Sequence, residues 1–202
     1  VALLNEQTDE QLLAMALDGN EDAFTALYRR RQAPVYRFAL HMSGSPQVAE
    51  EVTQDVFLFL LQRGRGFDPA RGAVGAYLFG VARNYVRRAM EKSHSEAIMT
   101  TPAEDDDPSL VTNCDPVDGI ARSQTSRAVR KAVLSLPEHY REAVVLCDLQ
   151  ELSYADAAEA LGCAIGTIRS RLHRAHEMLV RKLQSSAPAR AGFSSDAARC
   201  LS

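Results

Sequence analysis

Four cysteines are present in the 202-residue chain, and none is placed to make a site. Cys114, Cys147, Cys163 and Cys200 form no CxxC pair, and no histidine stands at zinc-finger spacing from them, which excludes zinc-ribbon and thiol-redox chemistry. Cys147 and Cys163 have apolar neighbours and read as small core residues of a reduced chain. No apolar run reaches the roughly 18 residues of a membrane span, and the amino terminus does not resemble a signal peptide, so membrane insertion and export are not expected. Strand signals are nearly absent. No nucleophile set, metal set or phosphate loop appears, and clustered carboxylates occur only where no scaffold would hold them. The expectation is a cytoplasmic, non-enzymatic protein with no catalytic residue, no cofactor and no metal.

What is abundant is charge, and it is segregated. The net charge of −3 looks wrong for a nucleic-acid binder, yet residues 93–118 hold seven acids (Glu96, Glu104, Asp105, Asp106, Asp107, Asp115 and Asp118) and no Lys or Arg. Without them the rest of the chain is basic, at +4 by subtraction. Helical periodicity covers most of that remainder. Thr8 with Gln11 forms a capping-box pattern ahead of Leu12, Leu13, Ala16 and Leu17; Gly19-Asn20 then stops one helix and caps the next. The second helix includes Pro34, which bends an ordinary helix, with Tyr28 and Tyr36 placed to pack around it. Ser45-Pro46 opens a third helix that stops in Arg63-Gly64-Arg65-Gly66, and a fourth runs from about Ala73 to Lys92. Residues 63–92 carry seven basic residues and two acids, a first basic surface.

From Ser93 to Asp115 periodicity fails and Pro102 and Pro108 appear, the composition of a disordered linker. Helix restarts at Asp115-Pro116, and two helices over 117–135 and 137–149 divide at Leu136-Pro137. They lead to the sharpest local signal. Ser153 with Asp156 resembles a capping box, Ala158 is small where two helices cross, and Gly162 supplies the turn. In the next helix Ile168, Leu172, Ala175 and Leu179 share one face with Leu161 of the first. Gly166, Ser170, His173, Arg174 and Arg181 then face outward, with Arg169 and Arg171 on the shoulders. Residues 163–182 hold five basic residues against Glu177 alone. This is a helix-turn-helix whose second helix suits a major groove lined by phosphates. His173 and His176 lie one turn apart, and a surface pair accounts for them better than a shared metal.

The expected fold is all-α: two small helical domains joined by a flexible acidic linker, the second ending in a helix-turn-helix. The expected boundaries are 1–92, a linker over 93–116, 117–184, and a disordered tail over 185–202. Two basic domains on one tether would let one chain touch two separated DNA segments. The helix-turn-helix alone leaves the class of DNA-binding protein open.

The residues also resemble a known family. Leu136-Pro137-Glu138-His139-Tyr140-Arg141-Glu142-Ala143, Leu152-Ser153-Tyr154-Ala155-Asp156-Ala157-Ala158 and Gly166 through Ala175 look like the −35-reading domain of extracytoplasmic-function sigma factors of bacterial RNA polymerase. Asp9 to Phe24, Glu50 to Phe57 and Tyr77 to Asn84 resemble the domain that binds core polymerase and the −10 element. The resemblance implies a subunit that binds core RNA polymerase through its β′ clamp helices and β subunit, recognises promoter DNA and assists melting. It also implies an anti-sigma factor as a further partner. By position it assigns Glu51, Gln54 and Asp55 to polymerase docking. Phe67, Arg71 and Asn84 are assigned to capture of an unpaired −10 base, and Arg83, Arg87 and Arg88 to the strand's phosphates. Thr167, Arg169, Ser170, Arg171 and Arg174 are assigned to the −35 groove. Aromatic stacking, an amide and arginines are what an opened strand requires. Asp105-Asp106-Asp107 would either enter the polymerase's basic cleft, as in the family, or serve as a solubilising spacer. The competing class is a free-standing helix-turn-helix regulator that works without polymerase.

Overall fold

In the computed structural model, which describes residues 4, 6–70, 72–99 and 118–186, eight α-helices carry the fold and no strand occurs among the described residues. Helix α1 spans Asp9–Leu17 and opens on the capping box: the Gln11 amide donates to Thr8 Oγ1 at 3.3 Å, and the Thr8 amide to Gln11 Oε1 at 2.9 Å. Asn20 caps α2, Glu21–Ser43, through the Ala23 amide at 2.9 Å. The carboxylate of Asp9 is only 5% exposed and pairs with both Arg30, at 2.7 Å, and Arg31, which pins α1 on α2.

Pro34 lies inside α2, where it removes one backbone donor. Tyr28 and Tyr36 flank it and line a groove of about 360 Å³ against α3; Tyr28 packs edge-on to Phe57 at 4.7 Å. Gly44 ends α2 at φ 76°, and Ser45 caps α3, Pro46–Arg63, through the Val48 amide at 3.3 Å. Helix α3 buries Ala49, Val52, Val56, Phe57 and Leu60 at the spacing of one helix face. A 3₁₀ turn over Gly64–Gly66 leads into the loop before α4, Val74–Met99. Glu10 of α1 accepts the Val74 amide at 3.2 Å, so the first helix caps the start of the fourth.

Beyond residue 117, α5 covers Asp118–Leu134 and α6 covers Glu138–Val144. The helix expected through residue 149 changes at Val145: Val145–Leu149 is a π-helical segment, closed by the Gln150 amide on Val145 O at 3.0 Å. Val144, Val145 and Leu146 are buried, and an apolar run of this kind fits either helical register. Ser153 caps α7, Tyr154–Leu161, and Gly162 turns the chain at φ 61° into α8, Ile165–Ser186.

One expectation is corrected here. Helix α4 does not stop at Lys92 but continues to Met99, because residues 93–99 include helix-favouring Glu96, Ala97 and Met99 and no proline or glycine. The first seven residues assigned to the linker are therefore helical. The rest of it, residues 100–116, lies outside the described residues, as does Arg71; most of the tail, from residue 187, does too.

The two halves are in contact. The two halves share one apolar core, in which Val133, Leu136, Val144 and Leu146 join the buried side chains of α1 to α4. Arg141 spans the joint: its guanidinium donates to Met42 O at 2.6 Å, Leu134 O at 2.5 Å and Leu136 O at 3.0 Å. These are carbonyls at the carboxy-terminal ends of α2 and α5, where a cation is favoured. Arg83 of α4 pairs with Glu142 of α6, whose side chain is 1% exposed.

Candidate nucleic-acid interface

The helix-turn-helix is assembled as its sequence requires. Ala157 and Ala158 are buried at the crossing of α7 and α8, and Ile168, Leu172 and Ala175 anchor α8 with exposures of 0–4%. That anchoring leaves Arg169, Ser170 and Arg174 exposed on the opposite face, with Thr167 and Arg171 half-buried on its edges. The Ser170 hydroxyl donates to Thr167 O at 3.0 Å, leaving its lone pairs for an incoming donor. A hydrogen bond to Tyr140 of α6, with Glu177 nearby, pushes the Arg174 guanidinium further above its ordinary value, so it carries full charge at any working pH. His176 meets Asp148 at 2.7 Å and His173 meets Glu177 at 3.5 Å. Each histidine has its own acidic neighbour, and no metal-binding group forms among the described residues.

The second set converges elsewhere. Phe67, Arg83 and Asn84 line one cavity of about 410 Å³ between the loop before α4, the first three turns of α4 and the end of α7. Phe67 is half-buried with its ring 5.3 Å from that of Tyr77, giving the cavity an aromatic wall. Burial raises the Tyr77 hydroxyl above its ordinary value and keeps it a neutral donor. Asn84 is exposed. Arg83 is engaged by Glu142, and Arg87, one turn on, meets Glu138 at 3.1 Å. Arg88 lies over the Tyr85 ring at 5.9 Å. Phe59, Tyr77 and residues 159–162 also line the cavity and were not assigned to it from sequence. Tyr77 alone had a legible signal, as the aromatic residue opening the motif that ends at Asn84.

On α3, Glu51 and Gln54 are exposed and Asp55 is half-buried. The same face continues into Leu58 and Leu61, exposed by 54% and 48%. Two large apolar side chains beside three polar ones form a surface suited to a protein partner rather than DNA.

Comparison with known proteins decides the class. The Sigma-70 region 2 model matches residues 27–96 and the Sigma-70 region 4 model matches residues 126–179. The ECF RNA polymerase sigma factor SigM of Mycobacterium tuberculosis is 34% identical over 179 residues, covering 89% of this chain and 86% of the relative. SigE of Mycolicibacterium smegmatis is 30% identical, with 86% of this chain and 68% of the relative covered. The chain belongs to the extracytoplasmic-function sigma factors. It therefore binds core RNA polymerase and directs promoter-specific initiation. The free-standing regulator is not favoured, because the region 2 match accounts for the amino-terminal half.

Solved structures agree. The sigma factor RpoE of Bartonella quintana, determined with the anti-sigma factor NepR, superposes with a TM-score of 0.63 at 26% identity, covering 81% of this chain and 98% of that one. CnrH, determined with the cytosolic domain of CnrY, gives 0.68 at 24% identity over 90% and 100%, a likeness of fold. Among the described residues no helix of this sigma factor is long and apolar enough to cross a membrane.

Proposed function

We propose that this sigma factor divides promoter reading between its two halves. The loop and helix α4 read the −10 element, with Phe67 and Asn84 receiving an unpaired base and Arg83, Arg87 and Arg88 holding the strand's phosphates. Arg71 belongs to the same set by its place in the loop. Helix α8 reads the −35 groove through Thr167, Arg169, Ser170, Arg171 and Arg174, while α3 docks on the β′ clamp through Glu51, Gln54 and Asp55. The observation that carries this reading is the convergence on one cavity of an aromatic ring from the loop, Phe67, with a guanidinium and an amide from α4, Arg83 and Asn84. Those are the groups that stack on, recognise and neutralise an extruded nucleotide. The chain supplies recognition, and the polymerase supplies the chemistry.

The functional units are the helices before and after the acidic segment, with the residues between α4 and α5 connecting them. An anti-sigma factor belongs to the same proposal; the Bartonella relative with a protein of that class bound supports it. Promoter-dependent run-off transcription with purified core enzyme tests the reading. Full-length product only when this chain is added is the expected result. No association with core and no promoter-dependent product would reject it.

A further inference from the structure

The arginines that α8 offers to the −35 groove are not held alike. Among the described residues Arg169 and Arg171 have no side-chain partner, whereas the Arg174 guanidinium donates to the hydroxyl of Tyr140 in the first turn of α6. Helices α6 and α8 pack directly on one another. The support beneath Tyr140 is firm: its ring is half-buried against the apolar core and lies 4.0 Å from that of His139. Its neighbour Arg141 is tied to Leu134 O at 2.5 Å and Leu136 O at 3.0 Å, and Ala143 and Val144 are buried. On α8, buried Leu172 and Ala175 flank Arg174, so its backbone is fixed while its side chain stays exposed. All these contacts lie within the carboxy-terminal half and do not depend on its packing against α1 to α4.

From this arrangement we infer that Tyr140 is a positioning residue for −35 reading: its hydroxyl holds Arg174 in the rotamer that meets the groove, and so sets base preference without touching DNA. The inference rests on the assignment of Arg174 to the −35 groove. A bidentate contact with guanine O6 and N7 needs two N–H groups of one guanidinium aimed together at a base edge. An arginine on an exposed helix face samples many rotamers, most of which aim that fork elsewhere, and choosing one costs conformational entropy. Tyr140 accepts one of the five N–H donors and leaves four, which is enough for the base edge. The ordering is then complete before DNA arrives. Phosphate oxygens accept from many directions and a base edge does not, so losing the hydroxyl lowers discrimination more than affinity. Glu177, the other group beside Arg174, is exposed and also meets His173 at 3.5 Å. It supplies charge, and Tyr140 supplies direction.

The test uses the full chain and Tyr140→Phe, which removes the hydroxyl and keeps the ring against His139. Nuclear magnetic relaxation of the Arg174 Nε–H group in the free protein reads the ordering itself, and its order parameter should fall in the variant. Holoenzyme assembled with core polymerase then binds a promoter it recognises and single-base variants across the −35 element. Discrimination at the base that Arg174 reads should fall about three- to tenfold in Tyr140→Phe, the range for one hydrogen bond, with mean affinity changed less than about twofold. In an Arg174→Ala background Tyr140→Phe should have no further effect. Unchanged Arg174 mobility would overturn the inference, as would equal weakening on every promoter variant. An undiminished effect in the Arg174→Ala background would also overturn it, by making Tyr140 a DNA contact in its own right. If Arg174→Ala lowers −35 preference and Tyr140→Phe does not, the inference alone is lost. If Arg174→Ala leaves that preference intact, the assignment of Arg174 falls and takes the inference with it.

Discussion

The two helices proposed to read the promoter, α4 and α8, carry similar basic side chains in different surroundings. On α8 the arginines face outward because the helix's other side is buried against α7, α6 and α5; Arg169 and Arg174 stay exposed, and Arg174 meets the Tyr140 hydroxyl with Glu177 nearby. On α4, Arg83 and Arg87 already have acidic partners from the other half, and the adjoining cavity is walled by the end of α7. A basic residue on a helix face is therefore a binding element only when the rest of the fold leaves it available. Sequence spacing alone does not distinguish these cases.

The largest expected effect concerns the joint that makes the comparison possible. Leu146 is fully buried in the core shared by both halves, and Leu146→Ala should cost about 2–5 kcal/mol of stability. A shared core also predicts cooperative unfolding, so urea transitions reported from α2 and from α8 should coincide in the wild-type chain. Two separated transitions would break the account of one joined body.

Next in size is the open head. Arg174→Ala should weaken preference for the −35 element roughly tenfold to a hundredfold, the range for loss of a bidentate base contact. Binding to core polymerase should be unchanged. Equal losses on all sequences would convert Arg174 from a base reader to a phosphate contact. On α4, Asn84→Ala should slow open-complex formation about two- to tenfold, the range for one hydrogen bond, with closed-complex affinity retained. Permanganate footprinting against gel-shift affinity separates the two steps. Parallel losses in both would remove Asn84 from base capture.

Much of the architecture was legible because it is written locally. Thr8 with Gln11, Asn20, Ser45-Pro46, Ser153 and Gly162 all act within a few residues, through caps and turns whose chemistry the sequence states directly. The inward stripe of α8 was equally plain, since helical spacing selects Ile168, Leu172 and Ala175 together. The Arg83–Glu142 pair was not legible: its partners are 59 residues apart, and nothing near Arg83 distinguishes a phosphate-binding arginine from a paired one. The extension of α4 was missed for another reason. Accumulated acid and lost periodicity mark solvent exposure, but neither stops a helix while proline and glycine are absent. The closing wall of the cavity was hidden because residues 159–162 had a sufficient role in the helix-turn-helix.

The smallest expected effect acts on the joint through pH. His41 is near the end of α2, in the −10 half, and its imidazole is held below the ordinary value of 6.5, first by burial and then by the charges of Arg130 and Arg37. Arg130 belongs to α5, in the other half, and its Nε is buried without an acceptor among the described residues. A base with a depressed pKa binds fewer protons folded than unfolded as pH falls below 6.5, so stability declines with acidification across that window. Charging His41 would also set a third cation beside two arginines at the contact between α2 and α5. Urea midpoints at about pH 7.5 and about pH 5.5 should therefore fall further on acidification in wild type than in His41→Gln, which has no charge to gain. Amides of α5 around Arg130 should show the same difference in exchange. Equal pH slopes for the two proteins would place the acid sensitivity elsewhere and leave the joint between the two heads indifferent to His41.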